Sequence, residues 1–578
     1  MKCILSELRK YIKELILIVL TVIGTTMCTL GLPTLLKRLI DRAIPEENML
    51  LVVEICMIML VLVAVGVACG IATSHLSATV SMGVGRNLRN RLFTKIQYFS
   101  QTEMDRFSAS SLITRTNNDV SQIQAFLNQC LRIAIQAPIM CICGIILAIQ
   151  SSPSLSGVLV ISIPLMAIVL TIIARIAVPL SSKIQVKIDR INLVMREKLT
   201  GVRVIRAFGT TDFESKKFEE INRDYQKTNK KLQRTTNSVL PLLTVIISLT
   251  AALIMLMAAN QYANKGVDYT IGEVMAIIQY VMQIMMAVIM LTLVFIMLPR
   301  AATSAKRAEE VLNTDPVIKN KEETKDNTEM QGYLEFKNVS FTYPGADVPA
   351  IKDLSFSAKP GETTAIIGGT GMGKSTIVNL IPRLYDVTEG QVLVDGIDVR
   401  DYDTAVLRNK IGFVPQKAVL FSGTIDSNIA FGDVNADEDR IEEAARIAQS
   451  IDFIMKKEEG FAAPISQGGT NVSGGQRQRL AIARAIVRKP EIYVFDDSFS
   501  ALDFKTDKTL RAALSQETDN ATVVIVAQRV STIMEADRII VVEKGEVAGI
   551  GTHKELLETC DVYKEIVSSQ MSEEEMKK

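Results

Sequence analysis

The chain has 578 residues, 48% of them hydrophobic, and its 64 Lys and Arg against 63 Asp and Glu leave a formal net charge of +1. A chain of this length is too long for one hydrophobic core, and the near-neutral charge gives no sign of a nucleic-acid partner, for which a strongly basic stripe is expected. The 8 cysteines show neither metal-ligand spacing nor the framework of a secreted disulfide-rich domain. Apolar residues crowd into positions 1–300, so we predict a membrane domain followed by a soluble one.

Six apolar stretches are long enough to cross the hydrocarbon core of a bilayer as helices. They lie near 14–34, 51–72, 132–150, 155–177, 238–259 and 274–298. No small-residue cleavage site follows the first stretch, so we interpret it as a retained span. The missing targeting segment also predicts a bacterial plasma membrane protein.

Lysine and arginine cluster in the segments between spans two and three and between spans four and five, which places both segments in the cytoplasm. Their helical apolar spacing indicates that the spans continue far beyond the membrane. We predict the tips of the two helical hairpins at Ser108–Val120 and Ala207–Phe218. A charged, Pro-containing linker follows over 313–331, so the membrane domain is predicted to cover 1–312.

The second domain is predicted at 332–570, with a charged tail at 571–578. Near its start an apolar strand leads directly into G-x-x-x-x-G-K-S, the phosphate-binding loop. Glycines let this backbone wrap around phosphates, Lys374 reaches the β and γ groups, and Ser375 ligates Mg²⁺. The predicted nucleotide-binding residues here are Gly368, Gly369, Thr370, Gly371, Met372, Gly373, Lys374, Ser375 and Thr376.

Two further motifs complete the predicted α/β nucleotide-binding domain. A buried-strand pattern, EIYVFDD, ends at Asp496, a carboxylate suited to the magnesium shell. In NVSGGQ, Ser473 and Gln476 form the capping box of a helix. The glycines Gly474 and Gly475 leave the helix N-terminus bare, so that its amides can meet an anion.

The order of these motifs, with Tyr343, Gln416 and SALD at 500–503, resembles the nucleotide-binding domain of ATP-binding cassette (ABC) transporters. Six spans with two long inner hairpins resemble the multidrug and lipid exporters of that superfamily. The resemblance implies ATP and Mg²⁺ as cofactors, adenine stacking on Tyr343, and a magnesium-sensing role for Gln416 beside Ser375 and Asp496. It also implies that the segment Ser473–Gln476 contacts ATP held by a second subunit.

Two positions depart from the family pattern at the catalytic centre. Asp497 stands where active members carry a glutamate that deprotonates the attacking water, and a general base must lie within about 3 Å of its proton. Gln528 replaces the switch histidine, and an amide cannot carry the charge of an imidazolium. Only 2 histidines occur in the chain, His75 and His553, so neither stands nearby to substitute. Milder departures are Val472 for leucine and Gln467 for glutamate.

The catalytic residues Asp497 and Gln528 are poor, whereas the segment Ser473–Gln476, called the signature segment, is intact. This combination indicates the weakly hydrolytic subunit of a heterodimeric exporter of hydrophobic drugs or lipids, with no nucleic-acid partner. A methionine- and glutamine-bearing face of span six is a candidate substrate cavity, although lipid-facing or helix-packing methionine explains it equally well. Its residues are Gln279, Met282, Gln283 and Met286.

Glu54 is the ionisable residue that we consider as a determinant of cation preference. Alternatives are a metal-chelate importer built on the exporter fold and, from another class, a soluble ABC ATPase.

Overall fold

The computed structural model describes residues 2–265, 269–325 and 330–571, which form two compact units. The first unit comprises the residues up to Ile96 together with Ser110–Thr314. The second comprises Gln97–Ala109 together with the described residues from Asp315 onward. Residues 326–329 of the predicted linker and 572–578 of the predicted tail lie outside the described residues.

Thirteen helices account for the chain up to the linker, within its described residues. They are α1 (Lys2–Leu8), α2 (Ile12–Arg38), α3 (Met49–Gln97), α4 (Gln101–Phe107), α5 (Ala109–Thr114), α6 (Val120–Gln129), α7 (Ile135–Ser151), α8 (Pro153–Ser156), α9 (Leu159–Thr200), α10 (Val202–Ala207), α11 (Thr211–Asn237), α12 (Val239–Lys265) and α13 (Ile271–Asn313). A 3₁₀ turn at Arg9–Tyr11 joins α1 to α2, and π-helical turns at Arg115–Asp119 and Cys130–Ala134 join α5 to α6 and α6 to α7. A further π-helical turn, Leu39–Ala43, extends α2.

Joined in this way, the helices form six continuous apolar helical segments long enough to cross a membrane, counted over the described residues. They are Cys3–Ala43, Met49–Gln97, Ala109–Ser151, Pro153–Thr200, Thr211–Ala263 and Ile271–Asn313. The prediction of six spans is therefore confirmed. Each segment is longer than the roughly 20 residues that a bilayer requires, in agreement with spans that continue beyond it.

The first hairpin tip was placed wrongly by the sequence. The predicted segment Ser108–Val120 is helical from Ala109 onward, and the turn instead follows the end of α3 at Gln97. The reason is local: Ser100 and Glu103 form a capping box that starts α4, and Ser108, at φ 59°, ends it. Beyond Ser108, the side chains of Thr114, Asn117 and Asn118 are exposed, whereas Asp119 is buried and accepts a hydrogen bond from Ser304 Oγ at 2.7 Å.

The second hairpin tip lies within its predicted range. Phe208–Thr210 separates α10 from α11, and Gly209 has a φ of 67°, a left-handed conformation that favours glycine. Phe208 is 78% exposed at this turn.

A ladder of polar contacts, here called the polar seam, joins α2 and the π-turn after it to α13 within the first unit. Its four rungs are Gln283 Nε2 to the Thr29 carbonyl (3.4 Å), Thr34 Oγ1 with the Tyr280 hydroxyl (2.7 Å), Lys37 Nζ to Glu273 (3.0 Å), and the Gly272 N–H to Asp41 Oδ1 (2.8 Å). The Asp41 carboxylate thus accepts a free N–H in the first turn of α13, where a helix favours negative charge.

The second unit contains twelve strands and nine further helices among its described residues. The strands are β1 (Leu334–Phe341), β2 (Ile351–Ala358), β3 (Thr363–Gly368), β4 (Glu389–Val394), β5 (Ile397–Asp398), β6 (Ile411–Val414), β7 (Gly423–Thr424), β8 (Pro464–Ile465), β9 (Ile492–Asp496), β10 (Thr522–Val526), β11 (Arg538–Glu543) and β12 (Glu546–Gly551). The helices are α14 (Lys374–Leu380), α15 (Thr404–Asn409), α16 (Ile425–Ala430), α17 (Glu438–Ile447), α18 (Ile451–Ile454), α19 (Gly474–Ile486), α20 (Phe504–Glu517), α21 (His553–Thr559) and α22 (Asp561–Gln570).

A six-stranded sheet in the order β12-β11-β3-β10-β9-β6 carries the site, and all of its pairings except β11–β12 are parallel. A separate antiparallel sheet has the order β2-β1-β4-β5. The parallel strands are buried runs such as VVIV, typical of a sheet covered on both faces. In register, Val526 pairs with Asp496 and with Ile366, so the carboxyl ends of β3, β9 and β10 meet at one edge. The predicted fold class, six apolar helices followed by an α/β nucleotide-binding domain, is confirmed.

Candidate functional site

The turn from β3 into α14 is a loop that only glycine permits at its narrowest points. Gly373 has a φ of 89°, and a Cβ there would lie 2.6 Å from the Ala350 carbonyl oxygen. A Cβ on Gly368 would lie 2.2 Å from the Val542 carbonyl oxygen. By contrast, Gly369, Thr370 and Gly371 are exposed. The loop is therefore held at both ends and open at its crest, where backbone amides can meet an anion.

Lys374 is folded onto this loop and is only 8% exposed. Its Nζ donates to the carbonyl oxygens of Gly368 (2.8 Å) and Gly369 (2.7 Å). Burial lowers the pKa of Lys374, whereas the nearby carboxylates of Asp497 and Asp496 oppose that shift. The ammonium group thus lies among the groups predicted to bind phosphate and metal.

Ser375 and Asp496 form the pair predicted to hold magnesium. Ser375 Oγ donates to Asp496 Oδ1 at 3.0 Å, and Asp496 is 5% exposed. Burial raises the pKa of Asp496, opposed by the Ser375 hydrogen bond. A hydroxyl and a carboxylate oxygen at this spacing suit Mg²⁺, which takes one or two protein oxygens and completes its shell with water and phosphate. The two residues therefore fit the ion, which would neutralise phosphate charge there.

Asp497 accepts hydrogen bonds from the side-chain amides of Gln528 and Gln416 on the same oxygen, Oδ2. Gln528 Nε2 lies at 2.8 Å from it and Gln416 Nε2 at 3.3 Å. The Asp497 backbone has a φ of 47°, and its N–H donates to the Val526 carbonyl oxygen at 2.9 Å. Burial raises the pKa of Asp497, while the Gln416 hydrogen bond opposes the shift. The two positions that depart from the family pattern are thus directly bonded to each other.

Tyr343 lies beside the phosphate loop, where its hydroxyl shares a 2.9 Å hydrogen bond with Thr376 Oγ1. The ring packs edge-on against Phe341 and Tyr385, with centroids 4.9 Å and 5.4 Å away. These contacts hold the Tyr343 ring in place. That the ring stacks on adenine stays a prediction.

The signature segment starts α19 as predicted from its capping pattern. The Gln476 N–H donates to Ser473 Oγ at 3.3 Å, and the Ser473 N–H donates to Gln476 Oε1 at 3.0 Å. Apart from its own helix and chain neighbours, no heavy atom of the described residues lies within 4 Å of a Cβ added to Gly474, whereas one added to Gly475 would lie 3.2 Å from the Ala501 carbonyl oxygen. The first turn of α19 is therefore bare on the side of Gly474.

The candidate cavity residues divide between two environments. Met282 and Met286 are 46% and 48% exposed on α13. Gln283 instead belongs to the polar seam through its bond to Thr29. Its Oε1 is buried, with no hydrogen-bond partner among the described residues. Gln279 is partly buried, and Glu54 is exposed on α3.

Sequence reasoning missed Gln570, whose side chain reaches the backbone of the Gln528 segment. Gln570 Nε2 donates to the Gln528 carbonyl oxygen and its Oε1 accepts from the Val530 N–H, both at 2.9 Å. The one available signal was its place on α22, seven residues after Tyr563 and three after Val567, both fully buried.

Comparison with known proteins identifies the family of this chain and supports its fold. The ABC transporter transmembrane region matches residues 15–288, and the ABC transporter domain matches residues 351–500. The chain belongs to the ABC transporter family: it is 40% identical, over 98% of its length and 97% of the relative's, to an uncharacterized ABC transporter ATP-binding protein of Mycobacterium tuberculosis. It has the layout of an exporter half-transporter, a six-span region followed by the ATP-binding domain.

Two further similarities define its relatives. The chain is 31% identical to the ATP-dependent lipid A-core flippase of Escherichia coli, over 93% of this chain and 92% of the flippase. A solved bacterial Atm1-family ABC exporter with ATP bound shares its fold, with a TM-score of 0.79 at 24% identity and coverage of 98% and 99% of the two chains. The chain is thus a multi-pass membrane protein whose ATPase domain implies hydrolysis coupled to transport.

Proposed function

We propose that this chain is one subunit of a heterodimeric exporter that moves hydrophobic drugs or lipids out of the cytoplasm. Its own site holds ATP and Mg²⁺ and hydrolyses slowly, while its signature segment Ser473–Gln476 completes the faster site of a second half-transporter. The proposed nucleotide ligands are the loop Gly368–Thr376 with Tyr343, Gln416 and Asp496.

The observation that carries the proposal is the pair of amides on Asp497 Oδ2. The aspartate is one methylene shorter than the glutamate of active relatives, and its backbone is fixed by the bond to Val526. A shift of about 1 Å in a reacting group can cost about a hundredfold in rate. Gln528 can donate a hydrogen bond to phosphate but supplies no positive charge for the transition state.

The signature segment supports the second part of the proposal. Ser473, Gly474, Gly475 and Gln476 retain the capping box and the bare first turn of α19. A helix N-terminus of this kind binds phosphate through free amides and the helix dipole. The chain therefore keeps the part of the site that acts on another subunit's nucleotide and has lost the part that acts on its own.

Support for a hydrophobic substrate comes from α13 and from one relative. Met282, Met286 and Met290 are 41–48% exposed along one side of that helix, and methionine adapts to apolar ligands of varied shape. The flippase relatives are named for lipid A-core, which supports a lipid among the proposed substrates.

The decisive test restores the family residues in the full chain, reconstituted in lipid nanodiscs. We expect the unaltered chain to bind a fluorescent ATP analogue but to hydrolyse ATP slowly, and D497E/Q528H to raise turnover by at least about tenfold. Adding S473A should abolish that gain, because two copies of the altered chain would use each other's signature. K374A serves as the control that loses binding. Brisk turnover by the unaltered chain, undiminished by D497N, would refute the weak site.

The heterodimer is tested separately by isolating the tagged chain, with any second ABC half-transporter bound to it, from its native membranes. Turnover by the pair should survive D497N in this chain and be lost with S473A, because only the signature serves the faster site. The opposite pattern, or drug export by this chain alone at the rate of the pair, contradicts the assignment. Dye uptake by inside-out vesicles provides the transport measurement.

A further inference from the structure

The C-terminal helix α22 reaches the site through one side chain. Gln570 spans the two ends of the segment Gln528–Val530, donating to the first residue's carbonyl and accepting from the third residue's N–H, both at 2.9 Å. A primary amide has one donor and one acceptor group in fixed relation, so it can satisfy both backbone groups only in this arrangement.

Gln570 is held in place by the helix that carries it. Tyr563 and Val567 on the same side of α22 are fully buried in the core of the second unit, and the Tyr563 hydroxyl shares a 2.7 Å hydrogen bond with His553 Nδ1. The side chain of Gln570 is itself exposed. Its position therefore depends on the docked helix and not on burial of the amide.

The segment that Gln570 holds is short and carries the side chain at position 528. Strand β10 ends at Val526, two residues before Gln528, and the guanidinium of the next residue, Arg529, donates to the Ser500 carbonyl at 3.3 Å. The Gln528 amide donates to Asp497 Oδ2 at 2.8 Å. The Gln528 side chain therefore leaves a stretch of backbone that Gln570 holds at residues 528 and 530, with the Arg529 side chain anchored between them.

We propose that Gln570 is a positioning residue of the ATP site: it holds the Gln528–Val530 backbone and thereby aims the side chain at position 528 toward Asp497. This inference rests on the proposed role of the 497 and 528 pair. It makes α22 a part of the nucleotide site, so that whatever displaces this helix changes the chemistry at position 528.

The test uses the full chain in nanodiscs, with Gln570→Ala in the unaltered background and in D497E/Q528H. E565Q is the matched control, since Glu565 is an exposed residue of the same helix. We expect hydrogen exchange in the peptide containing Val530 to accelerate about fivefold to tenfold, the effect of one or two lost hydrogen bonds. Exchange around Tyr563 and Val567 should not change. Turnover should fall about fivefold at an unchanged KM for ATP, because the contact aims a group and does not bind nucleotide.

Gln570→Glu separates the two bonds, because its carboxylate still accepts from Val530 but cannot donate to the Gln528 carbonyl. We expect it to preserve slow exchange at Val530 and to recover part of the lost turnover. An unchanged turnover in Gln570→Ala, despite faster exchange at Val530, overturns the proposal. Faster exchange throughout α22 with an equal loss in E565Q would also overturn it, by revealing a purely structural role. If D497E/Q528H gains no activity, the proposed weak site fails, while the ratio between Gln570→Ala and its parent in the unaltered background still decides this inference.

Discussion

The Tyr385 hydroxyl donates a 2.7 Å hydrogen bond to Asp105 Oδ2, which binds the short helix α4 to the nucleotide-binding part of the second unit. The Tyr385 ring also packs against Phe341 and Tyr343, with centroids 5.3 Å and 5.4 Å away. Burial, reinforced by the bond to Asp105, raises the pKa of Tyr385, so its hydroxyl keeps the proton needed for this bond at neutral pH. A series of direct contacts thus runs from α4 to the tyrosine beside the phosphate loop.

Tyr385→Phe keeps the ring contacts and removes only the hydroxyl. We expect α4 to be held less firmly, by about 1 kcal/mol, and its amides to exchange hydrogen faster in mass spectrometry. ATP-analogue binding should stay within about twofold, since the Tyr343 ring keeps its neighbour. Asp105→Ala should give the same effect, and the double variant no more than either alone. Additive effects would show that the two side chains act independently.

Replacing glycines of the phosphate loop by alanine should reduce the stability of the chain by different amounts at different positions. At Gly373, alanine combines a left-handed backbone with a Cβ 2.6 Å from the Ala350 carbonyl oxygen, so we expect a loss of about 3 kcal/mol or more. At Gly371, φ is 79° and no heavy atom of the described residues, chain neighbours aside, lies within 4 Å of the added Cβ. Only the backbone strain of about 1 kcal/mol therefore applies there. Apparent unfolding midpoints of the two full-length variants check this order, and equal midpoints contradict it.

Ser375→Ala should weaken nucleotide binding only when magnesium is present. Ser375 Oγ faces Asp496 Oδ1 at 3.0 Å, and its loss removes one oxygen ligand for the ion while leaving the loop amides intact. We expect about tenfold weaker binding of a fluorescent ATP analogue in Mg²⁺ and little change in EDTA. Thr376→Ser, which keeps a hydroxyl one position along α14, is the control. An equal loss in EDTA would assign Ser375 a structural role.

Asp497 should make stability depend on pH. Its pKa is raised in the folded chain, so its contribution to stability is present below the unfolded value of about 3.9 and is lost as the pH rises through the folded value. Asp497→Asn cannot ionise and still offers an oxygen to both glutamines. The variant should therefore unfold at a higher temperature than the unaltered chain at neutral pH, with the gap closing as the pH falls below about 4.

Far-ultraviolet circular dichroism of the detergent-solubilised chain measures that gap. Asp519→Asn, at an exposed position, is the matched change of charge and should leave the gap near zero at every pH. A variant at position 497 that is less stable at neutral pH would mean that the carboxylate charge is needed to hold Gln416 and Gln528.

The sequence predicted the six spans and the location of the phosphate loop because both depend on local pattern. The length of an apolar stretch is enough to predict a span, and G-x-x-x-x-G-K-S after a strand is enough to predict the phosphate loop around Lys374. The first hairpin tip was wrong because the capping box at Ser100 outweighs the polar run after Ser108. The same limit explains why pattern alone gave no sign that Gln283, a candidate residue of the substrate cavity, donates to the Thr29 carbonyl.

Contacts between distant positions had no signature in a single sequence. Gln570 and Val530 lie 40 positions apart, and Tyr385 and Asp105 lie 280 apart. A glutamine at a helix end and a tyrosine after α14 are ordinary residues until the fold brings them to their partners. The bond between Asp497 and Gln528 is the intermediate case, because the family resemblance put both residues at one site but gave no contact between them.

The polar seam has a consequence for spectroscopic work on this chain. Four polar pairs join the helices of the first and sixth spans, and Tyr280, within the seam, is 1% exposed. Separating these helices in lipid would leave such groups without partners, which is costly in hydrocarbon. The distance between probes on these two helices should therefore stay constant through the transport cycle. This constant distance can serve as an internal reference for measuring how far the other spans move.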